Sequence, residues 1–405
     1  MSTWIQKPGR RYLPDACEPA PHLYLRVAII HYWLVGIRGG EKVLESLCTM
    51  FPQADIFTHA YRPEKISAQI RKHRVITTSV GKLPLASRMY QKYLPFMPAA
   101  LDEIDLSNYD LVLSSEAGPA KGVITPVDVP HLCYCHSPMR YIWDQYPIYR
   151  QNAGFLTRQL MPAVARKLRT WDIETATRPD RIVANSHHVA KRVQKFWRRE
   201  ADVINPPVSV QDFAAVAPEE RGGFYLWLGE LAPYKRPDIA IEAFNRLDRP
   251  LFVIGGPGKA EIALARKSKA NIRFLGRVDD ARLRRYLACC RALIFPGEED
   301  FGIVPVEAMA SGRPVIAYGR GGVLDSIVDG ETGLLYHEQS VEALVDAVER
   351  FEASGLEHAD PQRFVRHAAT FAEPVFRRKM TRVLQEMGIL ADNIVAEVEM
   401  EIAAE

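Results

Sequence analysis

The stretch that decides the fold is Gly297-Glu298-Glu299-Asp300-Phe301-Gly302-Ile303-Val304-Pro305-Val306-Glu307-Ala308-Met309-Ala310-Ser311-Gly312. The apolar run at 292–296 predicts a buried strand before it, and the run at 315–318 predicts a second strand after it. The spacing of apolar residues between the two runs predicts a helix that ends at Gly312. Strand, loop, helix, turn and strand make the repeating unit of a parallel α/β sheet.

Two carboxylates of this stretch lie eight positions apart, Glu299 in the loop and Glu307 in the helix. Both can face one polyol at the carboxyl end of the strand, where open α/β sheets bind ligands. The unpaired backbone N–H groups at the start of the helix favour an anion. Glycine at 302 lets the backbone approach a ligand closely.

The stretch resembles the donor-sugar signature of the family 4 retaining glycosyltransferases. The resemblance rests on two glutamates, Glu299 and Glu307, with seven residues between them. Phe-Gly-Ile follows the first glutamate at 301–303, and the second begins the run Glu-Ala-Met-Ala-Ser-Gly at 307–312. It covers about residues 25–390 and is strongest over 223–336. It implies an α/β protein of GT-B architecture, with two Rossmann-like doubly wound domains that face a cleft.

The resemblance also implies roles for this stretch. Glu299 would hold hydroxyls of the transferred sugar, and Glu307 would bind the ribose hydroxyls of the donor. The backbone N–H groups that would assist are those of Phe301, Gly302 and Ile303.

A second group of candidates lies near the start of the second predicted domain. Lys235 and Arg236 precede a predicted helix, so two cations meet free N–H groups, which suits a diphosphate. The family usually has an Arg where this chain has Glu230, so Arg236 is expected to replace it. The family also holds the base edge with the backbone after the strand at 272–276. Arg277 and Val278 are the candidates there.

The first predicted domain supplies the opposite wall. Gly39 and Gly40 open the helix after the first strand, either to contact donor phosphates or as a simple strand–helix turn. His136 follows another predicted strand, where the family places a His near C6 and C1 of the sugar. The segment His-Ser-Pro-Met-Arg-Tyr-Ile-Trp-Asp from 136 is similar to bacterial surface-polysaccharide mannosyltransferases. Asn185-Ser186 predicts a helix N-cap with no functional role.

Composition sets the broad class. The chain has 405 residues, 47% of them apolar and 25% charged, which is typical of two to three globular domains. Six cysteines without a Cys-x-x-Cys motif predict reduced thiols, and no apolar run reaches the roughly 18 residues of a membrane-spanning helix. The expected organisation is a loose leader at 1–22, an acceptor-side domain at 23–205, a linker at 206–222, a donor-binding domain at 223–370, and a helix crossing back plus a tail at 371–405.

Charge is distributed unevenly along the chain. Residues 1–205 contain 28 Lys and Arg against 18 Asp and Glu, whereas the remainder has 24 against 31. Arg88, Tyr90, Lys92, Tyr93 and Phe96 mix basic and aromatic side chains. They fit either an anionic bilayer surface or an aromatic core face with solvated cations. No nucleic-acid-binding module accompanies them.

These observations predict a retaining hexosyltransferase that carries mannose from GDP-mannose to a lipid-diphosphate-linked saccharide. The expected location is the cytoplasm, peripheral at the inner membrane face. No cofactor or metal is expected, since protein cations and helix N-termini can neutralise the diphosphate and no Asp-x-Asp motif is evident. A UDP-sugar transferase and a non-catalytic sugar-nucleotide binding protein are the alternatives. A dinucleotide dehydrogenase does not fit, because the segment at 38–42 lacks the required glycine fingerprint.

Overall fold

The structure is a computed structural model that describes residues 25–256 and 258–390. The predicted leader at 1–22 and the part of the predicted tail beyond residue 390 lie outside the described residues.

Within that range, the first domain is built on a seven-stranded parallel sheet. Its strands are β1 (Val27–His31), β2 (Asp55–Thr58), β3 (Val75–Thr77), β4 (Leu111–Glu116), β5 (His131–Cys135), β6 (Arg181–Ala184) and β7 (Asp202–Val203). Its helices are α1 (Gly39–Met50), α2 (Ala68–Arg71), α3 (Ala86–Met89), α4 (Met97–Asp102), α5 (Tyr146–Asn152), α6 (Phe155–Glu174) and α7 (His187–Trp197).

The second domain is built on a six-stranded parallel sheet, again counted over the described residues. Its strands are β8 (Tyr225–Leu228), β9 (Leu251–Ile254), β10 (Ile272–Gly276), β11 (Leu293–Phe295), β12 (Val315–Tyr318) and β13 (Gly333–Tyr336). The helices that follow them are α8 (Pro237–Leu247), α9 (Lys259–Ala265), α10 (Asp280–Cys289), α11 (Ile303–Ala310), α12 (Val323–Ser326), α13 (Val341–Ser354), α14 (Pro361–Ala368) and α15 (Glu373–Glu386).

The two sheets share one topology, and this topology places the site. The strand order is β3-β2-β1-β4-β5-β6-β7 in the first and β10-β9-β8-β11-β12-β13 in the second. In each sheet the order reverses beside its first strand, between β1 and β4 and between β8 and β11. Doubly wound sheets bind ligands in the crevice at the carboxyl end of that reversal point. The predicted pair of Rossmann-like domains is confirmed.

Strand β1 shows why the first sheet is covered on both faces. All five of its residues are buried, as expected of a central parallel strand. Val27 and Ile29 pack into one apolar cluster with α1, whereas Ala28 and Ile30 pack into another on the opposite face. Alternate side chains of one strand therefore support two helical layers.

The chain crosses between the domains twice. On the first crossing Ile204 packs in the first domain's core and Val208 in the second domain's core. On the second, the carbonyl oxygen of Phe371, just before α15, accepts a hydrogen bond from the N–H of Val208 at 2.9 Å. Helix α15 then buries Phe376 and Met380 in the cluster that contains β1. The last helix thus belongs to the first domain by packing, as the family resemblance implies.

The basic, aromatic segment around residues 83–102 does not form one continuous helix. It forms the short helices α3 and α4 with a 3-10 turn, Tyr90–Phe96, between them. Pro95 lies inside that turn and lacks the backbone N–H that a continuous helix needs. Tyr90 packs on Trp33 with ring centroids 4.8 Å apart, so this aromatic residue belongs to the core face, whereas Phe96 is exposed.

A further exposed apolar group lies on α6. Phe155, Leu156 and Leu160 are 81%, 70% and 57% exposed, among exposed basic residues of the same helix. No helix of the described chain has both the length and the apolar character needed to cross a membrane.

Candidate active site

The predicted donor side of the cleft is centred on an ion pair. The Lys235 ammonium lies 2.5 Å from Oε1 of Glu299, at the carboxyl end of β8 and β11. Two glycines make this approach possible. A Cβ at Gly229 would lie 3.1 Å from Cδ of Lys235, and a Cβ at Gly297 would lie only 2.8 Å from Cα of Lys235. Burial lowers the pKa of Lys235, but the charge and hydrogen bond of Glu299, together with Tyr234 and Glu230, outweigh burial and raise that pKa above its ordinary value. The lysine therefore remains a cation.

The loop that carries Glu299 is supported by the turn that contains Gly321 and Gly322. Its carbonyl oxygen accepts a hydrogen bond from the N–H of Gly322 at 2.8 Å. Gly321 has a φ of +86°, and a Cβ there would lie 2.6 Å from the same oxygen. Only glycine fits without moving that oxygen. The turn at 319–323 therefore supports the Glu299 loop.

At the start of α11, the backbone of Phe301 and Gly302 and not the Phe301 side chain is available to this cleft. Phe301 is 3% exposed and packs against Phe371 in the core, so its side chain is unavailable to a ligand. Gly302, the N-cap, has a φ of +87°. The N–H groups from Gly302 onward are left free by helix geometry, which makes this end of α11 suited to an anion or a hydroxyl.

Glu307 lies one turn further along α11 and is unusual among the acids of the cleft. Its carboxyl group makes no hydrogen bond or ion pair with any residue that the structure describes. Burial raises its pKa to about 7, an effect that Lys42 and Lys235 oppose. A carboxyl group without protein partners at a cleft is a candidate for binding ligand hydroxyls.

The two predicted glycines of the first domain lie directly opposite α11. A Cβ at Gly39 would come within 3.0 Å of Cδ1 of Ile303, across the cleft. A Cβ at Gly40 would lie 2.3 Å from the hydroxyl of Tyr32 and 3.6 Å from Nε2 of His136. The structure thus brings Gly39, Gly40, His136 and the start of α11 together.

His136 is held at the end of β5 and is nearly buried. Its Nε2 lies 2.8 Å from Oγ of Ser115, and its backbone N–H donates to the carbonyl of Glu116 at 2.8 Å. Burial lowers the pKa of His136 to about 3. The ring is therefore neutral near pH 7 and can act on a ligand through a hydrogen bond but not through charge.

The remaining predicted donor residues are placed around this centre. Arg236 donates to Asp238 at 2.7 Å and to Oε1 of Gln339 at 3.3 Å, so its guanidinium already has protein partners. Arg277 lies over the backbone of Gly256: a Cβ added to Gly256 would be 3.4 Å from Nε of Arg277. Val278 packs against the second domain's core.

Glu230, the departure from the family pattern, has a partner in the other domain. Its Oε1 lies 3.4 Å from Nη2 of Arg38, and both side chains are exposed. Arg38 is the N-cap of α1, immediately before Gly39. A cation from the first domain therefore lies beside the acid that occupies the usual Arg position.

The most extensive contact across the cleft is made by Asp300. Its Oδ1 accepts from Nη1 of Arg192 at 2.7 Å and from the Ser137 hydroxyl at 3.3 Å, and its Oδ2 accepts from Arg140 at 3.4 Å. The Ser186 hydroxyl donates to the Asp300 carbonyl oxygen. The loop beside Glu299 is thus fastened to the first domain. Sequence reasoning missed Asp300 because its partners come from remote positions along the chain.

Ser186 has more than the predicted capping role. Its hydroxyl oxygen accepts from the N–H of Val189 at 3.1 Å, which caps α7, and the same hydroxyl group donates across the cleft. A second contact lies nearby. Oδ2 of Asp325 accepts from the backbone N–H of His187 at 3.0 Å and from Asn205 at 3.1 Å. Helix α7 therefore meets the second domain with its N-terminal end.

Over the part of the chain that the structure describes, no group of three or more His, Cys, Asp or Glu side chains has the arrangement of a metal site.

Comparisons with known proteins identify glycosyltransferases over both domains of the chain. A family model described as Glycosyltransferase Family 4 matches residues 37–212, and one described as Glycosyl transferases group 1 matches residues 210–370. A D-inositol 3-phosphate glycosyltransferase of Kribbella flavida is 30% identical over 200 residues, which cover 42% of this chain and 47% of the relative. An uncharacterised glycosyltransferase of Methanocaldococcus jannaschii is 28% identical over 176 residues, 42% of this chain and 49% of the relative. The matched part spans about half the length of these relatives.

Solved structures match over most of the chain. HepE of Anabaena, in complex with UDP, has a TM-score of 0.67 at 15% identity and covers 89% of this chain and 100% of its own. The sucrose-phosphate synthase of Thermosynechococcus elongatus has a TM-score of 0.66 at 16% identity, with 89% and 99% covered. WaaG, a glycosyltransferase involved in lipopolysaccharide biosynthesis, has a TM-score of 0.65 at 18% identity. The match covers 88% of this chain and 99% of WaaG. These likenesses concern the fold.

The two adjoining family matches, the paired Rossmann-like domains and the cleft between them define the class. The chain belongs to the family 4 glycosyltransferases of GT-B fold.

The Asp300 contact generates a first prediction. Asp300→Asn removes the charge that holds Arg192, and losing a hydrogen bond to a charged group costs roughly 1.5–3 kcal/mol. We expect a more open protein, measured as a larger radius of gyration by X-ray scattering and faster amide exchange in residues 298–301. Asp346→Asn is the matched control, because Asp346 also pairs at 2.7 Å, but with Arg350 on the surface of one helix. Equal scattering from Asp300→Asn and wild type would contradict the assignment.

A second prediction concerns the pH dependence of stability. Because burial raises the pKa of folded Glu307 from 4.5 to about 7, the wild type loses stability as the pH rises through that interval. Glu307→Gln has no charge to bury. Its stability relative to wild type should therefore increase from about pH 4.5 to 7 and level off above. Urea denaturation at a series of pH values measures this. The exposed Glu349→Gln serves as control, and a flat difference for Glu307→Gln would show that burial does not perturb this group.

Proposed function

We propose that the protein is a retaining hexosyltransferase that moves mannose from GDP-mannose to a lipid-diphosphate-linked saccharide, in surface polysaccharide or exopolysaccharide synthesis. The observation that carries this proposal is the Lys235–Glu299 pair, 2.5 Å long, at the carboxyl end of the second sheet. The start of α11, which follows the Glu299 loop, lies opposite Gly39 of the first domain, and Gly40 lies close to His136. In this proposal the Lys235 cation, the Glu299 carboxylate as an acceptor for hydroxyls, and the backbone of Gly39 and Gly40 line one cleft.

The donor lies mainly on the second domain in this proposal. Lys235 neutralises the charge that develops on the departing diphosphate, a task worth on the order of 3 kcal/mol for one well-placed donor group. The free N–H groups at the start of α11 assist it. Glu299 holds sugar hydroxyls, and Glu307, which lacks a protein partner, accepts the ribose hydroxyls. Binding the donor is expected to lengthen the Lys235–Glu299 ion pair, because the lysine then pairs with the diphosphate and the glutamate with sugar hydroxyls.

The reaction proceeds on one face of the sugar. The bond from C1 to the phosphate oxygen breaks, the bond from C1 to the acceptor oxygen forms, and the acceptor proton passes to the leaving phosphate. Retention is the outcome implied by family membership. Protein cations and helix N-termini stabilise the leaving group, so transfer is expected without a metal or cofactor.

The first domain completes the site by closing on the donor. Asp300 fixes the distance between the loop of Glu299 and the first domain, where Gly39, Gly40 and His136 lie. Closure excludes water, which would otherwise accept the sugar.

Three alternatives each have an observation in their favour. HepE, which shares the fold, binds UDP and UDP-glucose, so a UDP-sugar is the competing donor. The relatives named D-inositol 3-phosphate glycosyltransferases make a phosphorylated polyol the competing acceptor. A non-catalytic sugar-nucleotide binding protein rests on Glu230 alone, whose charge opposes a diphosphate.

The acceptor side is proposed to meet an anionic membrane at the cytoplasmic face. Phe155, Leu156 and Leu160 project from α6, and the exposed Phe96 lies on the neighbouring segment, which packs against α6 through Leu94. Basic side chains of both segments surround them. Apolar residues that enter the interface, together with cations that pair with lipid phosphates, are the usual means of peripheral attachment.

The test of the donor is a titration of the purified protein with GDP-mannose, UDP-glucose and UDP-N-acetylglucosamine, followed by binding and slow hydrolysis. We expect GDP-mannose to bind most tightly and to be hydrolysed. Lys235→Met should lower the rate by about 10²–10³-fold, as expected for a lost charge-stabilising group. Lys269→Met, an exposed lysine of the same domain, should not change it.

Each other result of this titration assigns a different function. Preference for a UDP-sugar would replace the donor and keep the mechanism. Binding of every donor without turnover, even with acceptors present, would favour the binding-protein alternative. A wild-type rate in a folded Lys235→Met or Glu299→Ala variant would show that the site is misplaced.

The membrane proposal predicts salt-sensitive sedimentation with vesicles that contain anionic lipid. Replacing Phe155 and Leu156 together by Ser should weaken vesicle binding at least about tenfold, since each buried large apolar side chain contributes roughly 1.5–3 kcal/mol. Ile262→Ser, which alters a residue 56% exposed on the second domain, is the control and should bind as wild type does. Absence of salt-sensitive binding by the wild type would contradict attachment to anionic lipid.

A further inference from the structure

A line of four polar side chains runs from the start of α1 to the cleft. Nε2 of His31 lies 3.7 Å from Oε1 of Glu41, and its Nδ1 lies 3.0 Å from Oγ of Ser115. The same Oγ lies 2.8 Å from Nε2 of His136. We refer to Glu41, His31, Ser115 and His136 as the relay.

The relay is shielded from solvent along its length. His31 and Ser115 are fully buried, Glu41 is 2% exposed and His136 is 9% exposed, at the cleft end. Strand pairing fixes its middle, because His31 and Ser115 are direct partners in the β1–β4 ladder. Glu41 is fixed by a hydrogen bond from the N–H of Arg38 to its Oε2 at 2.8 Å. Buried polar groups arranged in this way must share their protons among themselves.

Counting protons gives the relay a direction. At 3.7 Å, Oε1 of Glu41 makes no hydrogen bond to Nε2 of His31 and acts on it electrostatically. A carboxylate attracts an N–H and repels a nitrogen lone pair, so Glu41 favours a single ring proton of His31 on Nε2. Nδ1 of His31 is then an acceptor and takes the single hydroxyl proton of Ser115. The Ser115 oxygen can then only accept from His136, so the His136 proton lies on Nε2 and its Nδ1 carries a lone pair.

We propose that Glu41, His31 and Ser115 are positioning residues that fix His136 as the neutral Nε2–H tautomer, so that it presents Nδ1 to the cleft as a hydrogen-bond acceptor. Nδ1 has no hydrogen-bond partner among the described residues. The chemical class that it recognises is a hydroxyl group, which donates to it. This second part rests on the proposed function, where the hydroxyl belongs to the transferred sugar or to the acceptor.

The sequence could not have shown this arrangement. The four residues come from separate elements, and only the parallel register of β1 and β4 places the serine between two histidines. A neighbouring pair provides a natural comparison. Ser114, one position earlier on β4, contacts Nε2 of His131 at 2.8 Å on the opposite face of the sheet and has no link to the cleft.

The decisive experiment is ¹⁵N NMR of the histidine rings in the wild-type protein near pH 7, with His136 and His31 assigned through His136→Gln and His31→Gln. We expect a pyrrole-type Nε2 and a pyridine-type Nδ1 at both residues. The opposite tautomer at His136, or protonation of both of its nitrogens, would overturn the proposal. Because no substrate is needed, this result does not depend on the proposed function.

Paired serine variants test the relay itself. Ser115→Ala should move the His136 nitrogen shifts towards averaged values, because the N–H loses its fixed acceptor, and should leave His131 unchanged. Ser114→Ala should do the reverse. If both variants moved His136 equally, or if Ser115→Ala left it unmoved, the relay would not set the tautomer.

The acid at the far end is tested by its two closest replacements. Glu41→Gln retains an oxygen that can accept from His31 and should retain the tautomer, whereas Glu41→Met should lose it. If both kept the wild-type shifts, Glu41 would have no part in the relay. With a turnover assay in hand, Ser115→Ala should lower kcat about tenfold, the effect of about one hydrogen bond, with little change in KM. An unchanged kcat would overturn the assignment of Nδ1 to a substrate hydroxyl.

Discussion

The charge-assisted hydrogen bond between Asp300 and Arg192 is the interaction on which the cleft depends. It joins the loop at the end of β11 to a helix of the other domain, and it lies one residue from Glu299. Arg140, Ser137 and Ser186 complete the contact. Without it, each domain would still fold around its own sheet, because each has its own apolar core. What would be lost is the fixed distance between the two halves of the site.

The electrostatics of the cleft follow from that closure. On the second domain, Lys235 and Glu299 neutralise each other, and across the opening Arg38 lies beside Glu230. Between these pairs lie two groups whose ionisation burial suppresses. His136 is neutral near pH 7 because burial lowers its pKa to about 3, and Glu307 is only partly ionised there because burial raises its pKa to about 7. A site of this kind is pre-organised to exchange internal partners for those of a charged, hydroxyl-rich ligand. Such exchange requires little rearrangement of the backbone.

Much of the fold could be predicted from one stretch. The pattern over 292–318 specified strand, loop, helix and strand, and the structure has β11, α11 and β12 there. The stretch also identified Glu299, and the structure brings Lys235 to it. Other features required the structure. It assigns Tyr90 to the core face, one of the two alternatives that the sequence left open, and it shows that Ser186 contacts the other domain in addition to capping α7. Both depend on neighbours that are remote in sequence.

The sequence by itself determined the class of sheet, the positions of the glycine turns and the carboxylates of the donor motif, because these follow from local periodicity and from residue types at fixed spacing. Tertiary structure alone decided which groups meet. Arg192 reaches Asp300, Arg38 reaches Glu230 and Ser115 lies between two histidines only when the two sheets are assembled and face each other. The physical reason is that hydrogen bonds and ion pairs act over a few ångströms. Residues separated by a hundred positions acquire such neighbours only through strand register and domain packing.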